Sequence, residues 1–249
     1  MKRFVALFIM TIVVGVISMQ EVAAANSNDV SASAAEQVVS MSKTDWLTDF
    51  TKIKVDASIN LTLKQVPAGE EVRIVYDTKG NLTSKFKYEV DKNGTLVISE
   101  KVDPKRLTVT DVVVYYRTLS EVKIARATAE FESEVVASVF DLSLSNGATV
   151  VLSIKTLDAA VECTGTSSLV ISGETKYLTM RVSTAKVDCG LLSTVSTTVE
   201  ASHSAEVRVM VSERLEATTS TNGKLLYRGS PTILRNHNAL FGGGITNVN

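Results

Sequence analysis

From Val122 to Arg228 apolar and polar residues alternate with a period of two, and the alternation itself recurs. LSLSNGATVVLSI from Leu142, VECTGTSSLVISG from Val161, MRVSTAKVDCGLL from Met180, VEASHSAEVRVMV from Val199 and LEATTSTNGKLLY from Leu215 align in steps of 19, 19, 19 and 16 residues. A weaker copy, VKIARATAEFES, begins at Val122. Period two predicts strands, and a period near 19 between copies predicts coils that stack on one another. One apolar column holds Val122, Leu142, Val161, Met180, Val199 and Leu215. Two residues on, the next holds Ile124, Leu144, Cys163, Val182, Ala201 and Ala217. A second strand of each coil carries Phe131, Val150, Leu169, Val187, Val207 and Leu225.

A helical repeat would need apolar spacings of three and four, and the Asn ladder of leucine-rich repeats is absent. The prediction is an all-β chain, a right-handed parallel β-helix or solenoid with coils of about 19 residues. Its hand follows from the crossover rule, and like residues stack about 4.8 Å apart.

Between the strands of each coil the text turns small and polar, as in CTGTSS. Ser145, Thr164, Ser183, Ser202 and Thr218 form one such column, with Asn146, Gly165, Thr184, His203 and Thr219 beside it. Small residues let a backbone turn sharply, and this corner ladder is the candidate ligand-facing feature, with an outward β-face as the other surface that could make the contact. An outward column, Ser143, Glu162, Arg181, Glu200 and Glu216, places Arg181 between two acids and sets Glu200 beside Glu216, a like-charge contact. Residues 46–121 repeat less clearly. Their strands, broken by PAGE, TKGN and DKNG, predict irregular first coils or an antiparallel cap over an exposed solenoid end. The regular coils are expected over 122–230, followed by a tail, 231–249, whose ALFGGGI stretch is either flexible or tucked over the last coil.

The amino terminus adds an address. Lys2 and Arg3, the 14-residue apolar run FVALFIMTIVVGVI and a small-residue end predict a signal peptide, 1–25, cleaved after Ala25. That run is shorter than the roughly 20 residues of a membrane span. Residues 26–45, rich in Ser and Ala, predict a flexible linker, leaving 46–249 as one exported domain of the periplasm or outer surface. With 26 cationic and 27 acidic residues, the chain has no basic excess for nucleic acid. Two cysteines do not make a disulfide scaffold. Cys163 and Cys189 fall on different columns, which favours two buried thiols over a bridge.

Candidate chemistry is sparse. His203 sits in a corner, and His237 is the other histidine. Glu200, Glu206, Glu213 and Glu216, weighed as a calcium site, read better as a solvated face. Tyr115, Tyr116, Tyr177 and Tyr227, taken as outward, are too few to line a sugar cleft. No catalytic, metal or cofactor residue is assigned. The expectation is a non-enzymatic binding module for a glycan or an envelope protein, with no nucleic acid partner, membrane contact only through an uncleaved signal and the oligomeric state open. The alternatives are a structural or signalling-associated envelope protein and a carbohydrate-active β-helix enzyme.

Four stretches, FTKIKVDASINLTLKQ, GTLVISEKV, DVVVYYRTLSEVKIARATAEFES and NGKLLYRGSPTILRN, occur in an order that resembles the putative auto-transporter adhesin, head GIN domain family, common in Bacteroidetes. The resemblance runs from about Phe50 to Asn249, and the tail matches the family pattern at Gly223, Tyr227, Gly229, Ser230 and Pro231. At the corners this chain has Thr and Ser where the family often has Gly-Ser-Gly-like text. The resemblance implies a right-handed β-helix-like fold and export, and it carries no catalytic residues.

Overall fold

Successive residues of a strand face opposite sides, so each copy of the repeat has one apolar side to bury. The chain buries it by winding, coil upon coil, around a shared axis, a β-solenoid of about six turns. The computed structural model describes residues 42–80, 85–101, 108–238 and 242–249, and no α-helix occurs among them. The signal peptide and linker residues 26–41 lie outside the described residues. Strand β1 (Lys43–Trp46) already begins within the stretch expected to be linker. It pairs antiparallel with β4 (Arg73–Asp77), and the Tyr88 hydroxyl donates to Asp45.

One coil shows the design. In β12 (Ser168–Ser183) the residues up to Thr175 form one face of the solenoid, here called face one. The ladder skips Lys176 at a bend, and Tyr177–Ser183 forms face two. A corner then leads into β13 (Lys186–Ser202). The coils of β10 (Val135–Ser145), β11 (Thr149–Thr164) and β14 (Glu206–Thr219) stack in parallel on these. Val161 lies opposite Met180 and Met180 opposite Val199, while Cys163, Val182 and Ala201 stack in the next column. All six are at most 3% exposed. Burying each such aliphatic side chain is worth about 1.5–3 kcal/mol.

The corners explain the small polar text. Asn146 and Gly147, His203 and Ser204, and Thr221 and Asn222 all have positive φ, as do Gly165 and Thr166. Two successive left-handed residues make a type I′ turn, closed by Ala148 N–H to Ser145 O (3.2 Å), Ala205 N–H to Ser202 O (3.0 Å) and Gly223 N–H to Ser220 O (2.9 Å). Corners also bond to the next coil, Gly147 N–H to Gly165 O at 2.8 Å and Ser204 N–H to Thr221 O at 2.9 Å. Asn-Gly suits this turn; His-Ser does not, since a Cβ at positive φ costs about 1–2 kcal/mol. Ser204→Gly (φ 62°) should therefore gain up to about 1 kcal/mol, after the larger unfolded-state entropy of glycine. A calorimetric midpoint about 2 °C higher is the expected result; an unchanged or lower one would show the corner unstrained.

The first half is both irregular coils and cap. The coil of β2 (Lys52–Asp56) and β3 (Ile59–Gln65) is not at the end of the stack. It lies between the coil of β6 (Thr95–Glu100) and β7 (Thr110–Tyr116) and that of β8 (Glu121–Ala125) and β9 (Thr128–Phe131). Beyond β6 and β7, β5 (Phe86–Val90) and β4 pair antiparallel. Tyr76, Phe86 and Tyr88 cluster there with ring centroids 5.0–5.8 Å apart. At the other end, the expected tail supplies two further parallel strands. β16 (Ile233–Asn238) pairs with β14, and β17 (Gly243–Asn247) pairs with β15 (Gly223–Arg228). Residues 239–241, the ALF of ALFGGGI, lie outside the described residues.

Three columns differ from expectation by two residues. Ala217, not Leu215, lies opposite Val199, and Leu215 faces Thr197; Thr219, not Ala217, lies opposite Ala201; Ala129, not Phe131, lies opposite Val150. A shift of two keeps every side chain on its own side of the sheet. Apolar alternation cannot detect it, and the larger residue attracted the alignment. Thr197 is fully buried and shares a 2.6 Å hydroxyl contact with Thr194, so a polar residue fills an inner position there.

Candidate functional site

The corner ladder is brought together in part. Thr164, Ser183 and Ser202 stack in consecutive coils, with Ser145 at the matching end of its strand. Thr218 does not join them. It lies in β14 opposite Glu200, Thr219 is buried, and the last corner is Ser220–Thr221–Asn222. The ladder residues are half-buried, and three of their hydroxyls are engaged: Thr164 Oγ1 donates to Leu144 O (3.4 Å), and Ser183 and Ser202 lie 3.2 and 3.1 Å from His203 Nδ1. His203 thus clips two coils together at a corner. The exposed corner groups include Thr166, Thr184 and Thr221, along with Asn146, His203, Ser204 and Asn222.

On face two the outward column is a set of ion pairs. Arg181 lies between Glu162 and Glu200 and bonds the latter at 3.2 Å. Because the last step is longer than the alignment supposed, Glu216 lies opposite Thr198, not beside Glu200. Arg214, 2.9 Å away, bonds its carboxylate and holds it below the usual range. Glu206 pairs with Lys186 at 3.6 Å. Three of the acids weighed for calcium are thus each matched to a separate cation. Such exposed pairs contribute at most about 1 kcal/mol apiece.

The two thiols are buried and free. Burial pushes Cys163 up to about 12 and Cys189 well above its ordinary value, and Cys189 Sγ contacts Met180 Sδ at 3.8 Å. Neither thiol presents a nucleophile. Of the four tyrosines expected outside, Tyr116 and Tyr227 are 1% and 8% exposed and face the core. Tyr177 is exposed, and Tyr115 is half-buried under the Arg73 guanidinium, 3.7 Å from its ring. Period two in VVVYY leaves Tyr115 and Tyr116 on opposite sides by construction.

Exposed large apolar side chains gather in two places, around the bend at Val136, Val139, Leu157 and Tyr177, and on face one. Val151, Val170, Leu191 and Met210, from four consecutive coils, are 47, 42, 76 and 43% exposed. Two adjoining troughs of about 450 and 340 Å³ run beside them and share Asp188, Arg208 and Leu226. The sequence columns passed this over because every inner position was already filled, so an outward aliphatic looked incidental.

Family and structural comparisons agree with this architecture. A family model described as putative auto-transporter adhesin, head GIN domain, matches residues 49–231. The chain is similar to a crystal structure of a putative adhesin from Bacteroides fragilis (TM-score 0.77, 16% identity, 84% of this chain and 96% of that one). It is also similar to a putative adhesin from Parabacteroides distasonis (0.67, 18%, 84% and 96%). A third structure, also from Parabacteroides distasonis and described as a putative lipid binding protein, aligns with TM-score 0.58 at 16% identity over 84% and 96%. At such identities the likeness speaks for the fold alone. No curated protein matches the chain.

Proposed function

Because the chain belongs to the putative auto-transporter adhesin, head GIN domain family, we propose that it is an exported, non-catalytic binding module that docks on a cell-envelope component through face one. The observation that carries this reading is the run of exposed aliphatic side chains on Val151, Val170, Leu191 and Met210. On a fold whose inner columns are already full, such a patch marks a contact surface. The address written in the first 25 residues supports export. The engaged hydroxyls of the corner ladder, the paired acids and the buried thiols favour binding over catalysis. One scaffold serves many roles, so the surface, not the solenoid, carries the argument.

The test is saturable binding of the purified chain to envelope fragments of a Bacteroidales cell. Leu191→Ser with Met210→Ser should weaken binding at least tenfold, whereas Thr166→Ala with Thr184→Ala should leave it within twofold. If the corner variant loses binding and the face-one variant keeps it, the corner ladder is the site and this reading is wrong.

A further inference from the structure

β13 carries a marked irregularity near Gly190. Opposite β14, the register jumps between Cys189 and Ser193, and the Gly190 N–H turns back to the Asp188 carboxylate at 2.9 Å. The extra residues swing Leu192 fully inside and Leu191 out, to 76% exposure. Bulges re-aim side chains in this way. The result is an apolar knob standing proud of a sheet.

The knob does not stand alone. Val151, Val170, Leu191 and Met210 come from four consecutive coils, and Val248 follows beyond β17, separated from Met210 by the coil of β15, which places Arg228 between them. They do not share one column, since Val170 lies opposite Asp188, Leu191 opposite Ser172 and Met210 opposite Ser193; over five coil steps of about 4.8 Å they form an oblique band roughly 24 Å long. Lys186, Arg208, Lys224 and Arg228 flank it against two acids, Glu206 and Asp188. Those acids already bond Lys186 (3.6 Å) and Arg208 (3.4 Å). Lys224 and Arg228 make no ion pair among the described residues. A chain of net charge −1 thus has a local positive excess beside the most exposed leucine among the described residues.

Resting on the reading of face one as the docking surface, we infer that its partner is an anionic lipid leaflet. Leu191, Met210 and their neighbours enter the acyl boundary, and Lys224, Arg228 and Arg208 meet the headgroup phosphates. Aliphatic tips ringed by long cationic side chains match the two layers of a membrane interface. An added peptide strand fits less well, because strands on both sides already take up the backbone groups along face one of β12, β13 and β14.

Vesicle flotation tests this with the chain lacking residues 1–25, whose own apolar run would bind lipid; every described strand is kept. Vesicles of phosphatidylcholine with about a third phosphatidylglycerol should carry the protein, and pure phosphatidylcholine should carry at least tenfold less. Near an anionic surface each cation strengthens binding about fivefold. Lys224→Glu with Arg228→Glu should therefore lower partitioning more than tenfold, and 0.5 M salt should do the same. Leu191→Ser with Met210→Ser should reduce it about tenfold, with the melting temperature unchanged. Equal binding to both vesicle types, or binding indifferent to these variants, overturns the inference. If wild type ignores vesicles yet still binds envelope fragments through Leu191 and Met210, the partner is a protein or glycan; the lipid inference fails and the docking surface stands. If it binds neither, both fail.

Discussion

Val182→Asp should abolish stable folding. Val182 is 2% exposed and stacks between Cys163 and Ala201, with Met180 two residues away on the same inner side. No cation shares that column, so the carboxylate would be buried without a partner or would take up a proton. A buried unpaired charge costs on the order of 3–5 kcal/mol, a large share of the 5–15 kcal/mol that holds a typical domain folded. Circular dichroism should show loss of the β spectrum at 37 °C, or a melting midpoint at least 10 °C lower. The matched control is Thr179→Asp, three residues away, which points outward and should melt within about 2 °C of wild type. Equal melting of the two variants would mean that Val182 is not inside and that the coils do not stack as described.

That pair of substitutions also shows what the sequence could reveal. Side-of-sheet is encoded by period two, so Val182 and Thr179 separate on inspection. Stacking is encoded by the 19-residue period, so Val161, Met180 and Val199 could be placed on one line. Two things are invisible to such a pattern. A shift of two residues preserves alternation, which is why Leu215 and Phe131 were each set in a column that Ala217 and Ala129 occupy. Stacking order need not follow chain order, and the coil of β2 and β3 is enclosed by strands that come later in the sequence. The exposed knob on face one was illegible for a different reason. Leu191 sits in the run GLL, where alternation fails, and only the bulge decides that Leu192 goes in and Leu191 goes out.

Gly173→Ala should be nearly as damaging, through the backbone instead of charge. Gly173 has φ +105°, and a Cβ there would lie 2.0 Å from the carbonyl oxygen of Ile154 in the coil below. Left-handed strain alone costs about 1–2 kcal/mol. Relieving the clash requires β11 and β12 to part, which weakens ladder bonds worth about 1 kcal/mol each. The sum, roughly 3 kcal/mol, corresponds to a midpoint about 6–12 °C lower. Gly229 offers a comparison of the same kind. It has φ +102°, and its Cβ would meet Val211 O at 2.0 Å, but it lies beside the last coils, where Asn249 bonds its N–H and C=O. In a stack held by nearest-neighbour contacts, Gly173→Ala splits the molecule near its middle, whereas Gly229→Ala frays one end. Hydrogen exchange should therefore show protection lost on both sides of Gly173 in the first variant and only in β15, β16 and β17 in the second. Uniform loss of protection in both would mean that the solenoid unfolds as one unit; wild-type protection at Ile154 in Gly173→Ala would mean that the two strands are farther apart than 2.0 Å implies.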